Sequence, residues 1–226
     1  MIKNILFDLD NTLFDFYNSE KKALTKTLIS FGITPGEKML LRYSEINLAY
    51  WKLLEQGKLT RDQVKVGRYR QLFEEYNIEK SPEQVTKFYE NALSSEADLM
   101  EGAYELLEYL YGKYRLYVVS NGTFVCQQGR MGKAGITNFF EDYFISQQIG
   151  CEKPQKEFFD YCFGKIPHFK HSETIIVGDS FSADIIGGIN AGIKTVWFNP
   201  CGEKAPSAPD YEIHALSELI TLLERM

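Results

Sequence analysis

Four short β-rich runs, at residues 2–7, 115–119, 174–177 and 194–198, most constrain what this 226-residue chain can fold into. Each is short enough for a buried strand, and helical patterns separate the later ones. Strands alternating with helices build a parallel sheet of the doubly wound kind. Ligands of such sheets bind beyond the carboxyl ends of the strands. The residues that follow the runs therefore matter most: Asp8 and Asp10, then Ser120-Asn121-Gly122, then Gly178-Asp179-Ser180. Polar groups ending three separated strands converge on one crevice.

Between the first run and the second lie roughly a hundred residues without a strand pattern, too many for an ordinary crossover. They read as helices. Met39, Tyr43, Ile46, Tyr50 and Leu53 make one apolar stripe; Val66, Tyr69, Phe73 and Tyr76 make another behind a Thr60/Gln63 capping box. Ser81, Pro82 and Gln84 open a third helix with Val85, Phe88, Ala92 and Leu93 on one face. The expected architecture is α/β: a doubly wound, Rossmann-like parallel sheet core from residues 1–15 plus 99–226, with an inserted all-helical domain at 16–98. The crossings at 14–17 and 98–102 are candidate hinges, and 200–209 reads as an exposed loop.

A net charge of −6 gives no global basic footprint for a nucleic-acid polymer or an anionic membrane. No run approaches bilayer-spanning length, and no secretory leader pattern opens the sequence. The four cysteines stand far apart, which favours free thiols in a reducing compartment over disulfides or a zinc site. The expected location is the cytoplasm.

The first strand end carries the chemistry. Phe7-Asp8-Leu9-Asp10-Asn11-Thr12 sets two carboxylates one residue apart, on one side of an extended chain. Held that close they disfavour joint ionisation and call for positive charge. Magnesium suits the place, because it takes few carboxylates, keeps several waters and accepts a phosphate oxygen. Asp8 is the candidate nucleophile, able to take a phosphoryl group as an acyl phosphate. Asp10 is the candidate acid that protonates the leaving oxygen and then activates water. The alternative for either alone is a turn-capping aspartate. Ser120, with the amides of Asn121 and Gly122, is placed to hold phosphoryl oxygens. Lys153, in Glu152-Lys153-Pro154, offers a point cation, and its removal is expected to cost rate with the fold intact. Asp179 would complete the metal's carboxylates. Asp184 either steadies Lys153 or metal-bound water, or simply stabilises a helix N-terminus.

In their order and spacing, Asp8-Leu9-Asp10-Asn11-Thr12, Ser120-Asn121-Gly122, Lys153-Pro154 and Gly178-Asp179-Ser180 through Asp184 resemble the haloacid-dehalogenase (HAD) superfamily, specifically its metal-dependent phosphatases. The resemblance covers essentially the whole chain. It implies Asp8 as nucleophile, Asp10 as acid and base, and Ser120 and Lys153 as phosphate contacts, with Thr12, Asn121 and Gly122 binding substrate. It implies Mg2+ on Asp8, the main-chain carbonyl of Asp10, and Asp179, with Asp184 in support. The helical insertion is similar to that superfamily's first-position cap.

Within the insertion, Asn47-Leu48-Ala49-Tyr50-Trp51, Gly57-Lys58-Leu59-Thr60 and Gly67-Arg68-Tyr69 resemble bacterial pyrimidine-type 5′-nucleotidases, as do the stretches 139–153 and 185–192. That likeness implies a small phosphorylated metabolite as partner, a nucleoside monophosphate, and a monomer or homodimer. Phe14, Phe16, Tyr17 and Trp51 are candidates to face a base, the alternative being packing. A phosphoglycolate or sugar-phosphate phosphatase and a β-phosphoglucomutase-like mutase stay open. Asp10 argues against a dehalogenase, which needs no acid there. A binding module that had lost turnover would lack the nucleophile or a metal carboxylate, and neither is missing.

Overall fold

The computed structural model describes residues 1–226. Its strands are β1 (Asn4–Phe7), β2 (Arg115–Ser120), β3 (Asp142–Ile145), β4 (Thr174–Gly178), β5 (Lys194–Phe198) and β6 (Tyr211–Ile213). They form one six-stranded sheet in the order β3-β2-β1-β4-β5-β6, with every pairing parallel. The chain steps outward from β1 through β2 to β3, then returns to β4 on the other flank of β1. That reversal leaves the carboxyl ends of β2, β1 and β4 side by side around a crevice. Phe7 pairs with both Val118 and Val177, so the residues just past them open at one level.

Side-chain alternation explains why these runs are apolar throughout. Ile5, Phe7, Val118, Ile175 and Val177 enter one core cluster; Leu6, Tyr117, Val119 and Ile176 enter another on the opposite face. Helices cover both faces.

Helices α1 (Phe16–Ser30), α2 (Glu37–Glu55), α3 (Arg61–Tyr76) and α4 (Pro82–Leu93) fill the interval after β1. Then follow α5 (Ala103–Leu110), α6 (Phe124–Ala134), the single turn α7 (Ser146–Ile149), α8 (Lys156–Lys165), α9 (Ile186–Asn190) and α10 (Glu218–Glu224). The inserted helices own a separate apolar cluster, including Leu24, Leu28, Tyr43, Ile46, Tyr69, Val85 and Tyr89. Thr60 and Gln63 cap α3 reciprocally, and the Ser81 hydroxyl accepts from the Gln84 amide at the start of α4. The two ends of the insertion are tied to each other: the Asp15 amide donates to the Asp98 carbonyl (3.0 Å) and the Met100 amide to the Leu13 carbonyl (2.9 Å).

The inward faces differ from the apolar stripes in the sequence. In α4 Tyr89 is buried and Phe88 is exposed, while in α2 Leu40 and Asn47 are buried beside a half-buried Met39, and Leu54 is buried in place of Leu53. The interior also holds a buried polar group. The guanidinium of Arg68 is buried among the rings of Tyr43, Tyr69 and Tyr89 at 4.9–5.7 Å. Asn47 links Arg68 to the buried Glu20. The three ring faces surround that cation, and the Tyr43 and Tyr69 hydroxyls bond each other (2.9 Å). β3 and β6 are edge strands too short and too polar at their starts to stand out in the sequence. No helix is long and apolar enough to cross a membrane, and all four cysteines are free.

Gly188 shows how closely α9 lies on the sheet. A Cβ there would meet Cγ2 of Ile176 at 2.6 Å and Cγ2 of Thr195 at 2.7 Å. Both belong to stiff β-branched side chains of the strands beneath. Gly188→Ala improves helix propensity by about 1 kcal/mol, but overpacking costs about 1–3 kcal/mol. The denaturant midpoint is expected to fall; a raised midpoint would show that α9 has room to spare.

Candidate active site

Asp8 follows β1 directly, and its amide donates to the Val177 carbonyl (2.9 Å), which fixes the first carboxylate at the seam between β1 and β4. Asn11 then takes a positive φ of 60°, a conformation asparagine tolerates better than most residues. The tight loop turns Thr12 back toward β4, where its hydroxyl accepts from the Asp179 amide (3.0 Å) and faces Oδ1 of Asp179 (3.4 Å). Thr12 is fully buried, and its hydroxyl is committed to holding Asp179.

Lys153 is the centre of the site. Its side chain is buried, and Nζ donates to Oδ1 of Asp8 (2.6 Å), Oδ1 of Asp184 (2.6 Å) and the Val119 carbonyl (2.8 Å). Asn121, just past β2, fixes the lysine's backbone: its Oδ1 accepts from the Lys153 amide and its Nδ2 donates to the Lys153 carbonyl, both at 2.9 Å. This burial weighs against the expectation that Lys153 can be removed with the fold intact. Its loss would leave two buried carboxylates unpaired, a break that costs about 3–5 kcal/mol.

The carboxylates of Asp8, Asp179 and Asp184 come within 4.8 Å of one another. Burial pushes the Asp8 pKa up to about 7, with Lys153 opposing and Asp184 and Asp10 adding to the rise. Burial, then the negative charges of Asp8 and Asp184, raise Asp179 well above the ordinary carboxylate range. Burial also raises Asp184 against the pull of Lys153. For Lys153 burial works against the charge, but Asp184 and Asp8 outweigh it and hold the pKa above the usual lysine value. One ammonium thus faces three acids. Asp184 is already satisfied by Lys153 and by the Ser180 amide (3.1 Å). Asp179 has only the Thr12 hydroxyl as a side-chain partner, and the Asp10 carbonyl accepts no hydrogen bond within the protein. A hard divalent cation with oxygen ligands fits this donor set.

Ser120 ends β2 and is buried. Its oxygen accepts from the Gly122 amide (3.1 Å) and from Nε2 of Gln127 (2.9 Å), which leaves its own hydrogen for an incoming oxygen. A Cβ on Gly122 would strike Gln127 at 2.4 Å, so glycine is needed for the close approach. Asp10 stands slightly apart, with one oxygen on Arg130 and the other on Gln127 (2.7 Å).

Three residues absent from the sequence-level candidates join the site. Gln127 and Arg130 sit on α6 just behind Ser120-Asn121-Gly122, a helix-spaced polar pair that was the available signal. Arg61, first residue of α3, reaches across from the insertion: it donates to the carbonyls of Asn121 (2.6 Å) and Gly122 (3.1 Å), to Ser146 Oγ (2.6 Å) and to Glu152 (3.0 Å). The ring of Trp51 lies 5.7 Å from its guanidinium. Glu55 accepts from the Ser182 hydroxyl (2.8 Å) on the other side. The insertion is closed over the crevice. Among the candidate base-facing aromatics, Phe14 is fully buried in the sheet's core cluster and Phe16 packs against the insertion's cluster, whereas Tyr17 is exposed.

The crystal structure of the HAD-hydrolase YfnB of Bacillus subtilis bound to magnesium matches with a TM-score of 0.95 over 99% of both chains. Its sequence is 37% identical over 98% of this chain and 95% of its own. The pyrimidine 5′-nucleotidase PynA of Streptococcus pneumoniae is 34% identical over 99% of this chain and 95% of its own. For the pyrimidine 5′-nucleotidase YjjG of Escherichia coli the identity is 31%, over 97% and 96%. The family model for haloacid dehalogenase-like hydrolases matches residues 5–198, which span β1 to the end of β5 and every site residue named above. The chain belongs to the haloacid dehalogenase-like hydrolase family.

Proposed function

We propose that this hydrolase is a magnesium-dependent phosphomonoesterase that works through an aspartyl phosphate on Asp8, with pyrimidine nucleoside 5′-monophosphates as its substrates. The observation that carries the chemistry is the buried Asp8–Lys153–Asp184 group with Asp179 beside it, three acids with one cation that pairs two of them. The substrate class rests on PynA and YjjG, each named for pyrimidine nucleotides and each aligned over nearly the whole chain. Residues 1–15 and 99–226 form the catalytic core in this reading, and 16–98 form the cap.

Asp8 attacks phosphorus and Lys153 draws off charge from the transferring phosphoryl oxygens. The Ser120 hydroxyl donates to one of those oxygens. Asp10 protonates the departing sugar oxygen, then takes a proton from the water that releases phosphate. Thr12 and Asn121 serve through what they hold, Asp179 and the Lys153 backbone. Bound by Asp8, the Asp10 carbonyl and Asp179, Mg2+ supplies positive charge that offsets the nucleophile and the phosphoryl group. Arg61 and Glu55 fasten the cap while bulk water is excluded. Magnesium-bound YfnB reveals interdomain movement in that protein, and the same motion is proposed here. Four free cysteines support a cytoplasmic location.

A release assay over nucleoside monophosphates, sugar phosphates and phosphoglycolate in magnesium buffer tests the substrate class. Uridine, cytidine and thymidine 5′-monophosphates are expected to give kcat/KM at least about tenfold above the rest, a gap of about 1.4 kcal/mol. A sugar phosphate or phosphoglycolate at the head of the series would contradict the reading.

Magnesium binding also has a signed pH dependence. A carboxyl whose folded pKa is raised keeps its proton in the folded state after the unfolded chain has lost it. Stability of the metal-free protein therefore falls as pH rises from the ordinary value of 3.8 through the folded value of about 7 for Asp8, and the penalty is complete above that. Asp179 and Asp184 shift in the same direction. The rise in Tm on adding magnesium is expected to be larger at about pH 8 than at about pH 5. An equal or smaller rise at the higher pH would place the cation elsewhere.

A further inference from the structure

Asp10 is not left to find its own position. Oδ1 is paired with Nη1 of Arg130, and Oδ2 accepts from Nε2 of Gln127 (2.7 Å). The same Gln127 nitrogen reaches Ser120 Oγ (2.9 Å), and Gln127 Oε1 accepts from Arg130 Nη1 (3.1 Å). Gln127 thus connects the proposed acid with the proposed phosphate contact, and Arg130 holds both. A carboxylate has about four lone-pair directions, so two remain for a substrate oxygen and water.

Arg130 is fully buried although α6 is a surface-layer helix. Its Nε donates to the Glu96 carbonyl (3.1 Å), in the segment that leaves the insertion. Its guanidinium lies 4.3 Å from the ring of Phe14 and 5.7 Å from that of Phe16, in the segment that enters it. One residue earlier, a Cβ on Gly129 would meet the Ser94 carbonyl at 2.7 Å. The helix is therefore pressed against the exit segment, and one side chain touches Asp10 and both crossings of the insertion. The crossings offer this guanidinium one carbonyl and two ring faces, and its only carboxylate partner is the partly exposed Asp10.

We infer that Arg130 and Gln127 are positioning residues that aim the Asp10 carboxyl at the leaving oxygen, with Arg130 linking that aim to the seating of the cap crossings. The inference rests on Asp10 as the acid and base of the proposed reaction. Neither residue touches phosphorus. Their effect is on proton delivery to the bond that breaks, the P–O bond to the leaving group, whose oxygen takes the Asp10 proton as the phosphoryl group passes to Asp8.

Leaving-group dependence reads this directly. The full-length protein is assayed in magnesium buffer with p-nitrophenyl phosphate, whose leaving group departs without a proton, and with phenyl phosphate, whose leaving group needs one. For Arg130→Lys, kcat/KM on phenyl phosphate is expected to fall by about 10²-fold, while the value for p-nitrophenyl phosphate changes only a few-fold. Gln127→Met, which keeps the buried arginine, is expected to steepen the ratio by about tenfold, and it carries the comparison if Arg130→Lys does not fold. A parallel loss on both substrates, or no loss on either, overturns the inference. Asp10→Asn separates this from the underlying reading: a steepened ratio in Asp10→Asn with a flat one in both positioning variants sinks the positioning role alone. A flat ratio in Asp10→Asn sinks the acid role and the inference with it.

Discussion

The ammonium of Lys153, shared between Asp8 and Asp184 in a place closed to water, is the contact on which the rest of the site depends. Charges taken out of water are tolerated only when paired and hydrogen-bonded. Lys153 meets that condition for two acids and leaves the third, Asp179, with a hydroxyl alone. The imbalance is where the chemistry lies. A site with equal numbers of buried cations and acids would be a structural ion-pair network. One short of a positive charge can take a divalent cation and an anionic phosphoryl group together.

Topology delivers these residues to one level. Because β1 lies between β2 and β4, the chain needs only to end each strand in a polar residue to assemble Asp8, Ser120 and Asp179. Lys153 enters from the loop before α8, anchored to Asn121 by hydrogen bonds in both directions. Asp184 enters from the turn after β4, against which a Cβ on Gly178 would collide at 2.2 Å. Small residues at such points are steric requirements of the charge cluster. The insertion then adds Arg61, whose guanidinium caps the carbonyls of the Ser120-Asn121-Gly122 turn and pairs with Glu152 beside Lys153.

Much of this was legible in the sequence, and the reasons divide cleanly. The central strands and their polar ends were readable because burial on both faces makes a run apolar from end to end, and the site lies where those runs stop. The helix starts at Thr60 and Ser81 were readable because capping is local. β3 and β6 were not, since an edge strand needs less apolar length. The insertion's inner face was misplaced by one position at Phe88 and Tyr89, because hydrophobicity favours phenylalanine, whereas here it is the Tyr89 ring that faces the buried Arg68. Gln127, Arg130 and Arg61 were missed for another reason. Their partners lie far off in the chain, Asp10 more than a hundred positions from Arg130, and no periodicity encodes a contact of that kind.

The central claim is that Asp8 carries the phosphoryl group for a moment between the two displacements. Acid quenching of the protein during turnover of p-nitrophenyl phosphate in magnesium buffer, followed by mass analysis of the peptide from the first strand, tests it most directly. The account predicts the added mass of one phosphoryl group on Asp8, absent from Asp8→Asn and absent when magnesium is chelated. Full turnover with an unmodified Asp8 at every quench time, and with Asp8→Asn as active as the parent, would contradict it.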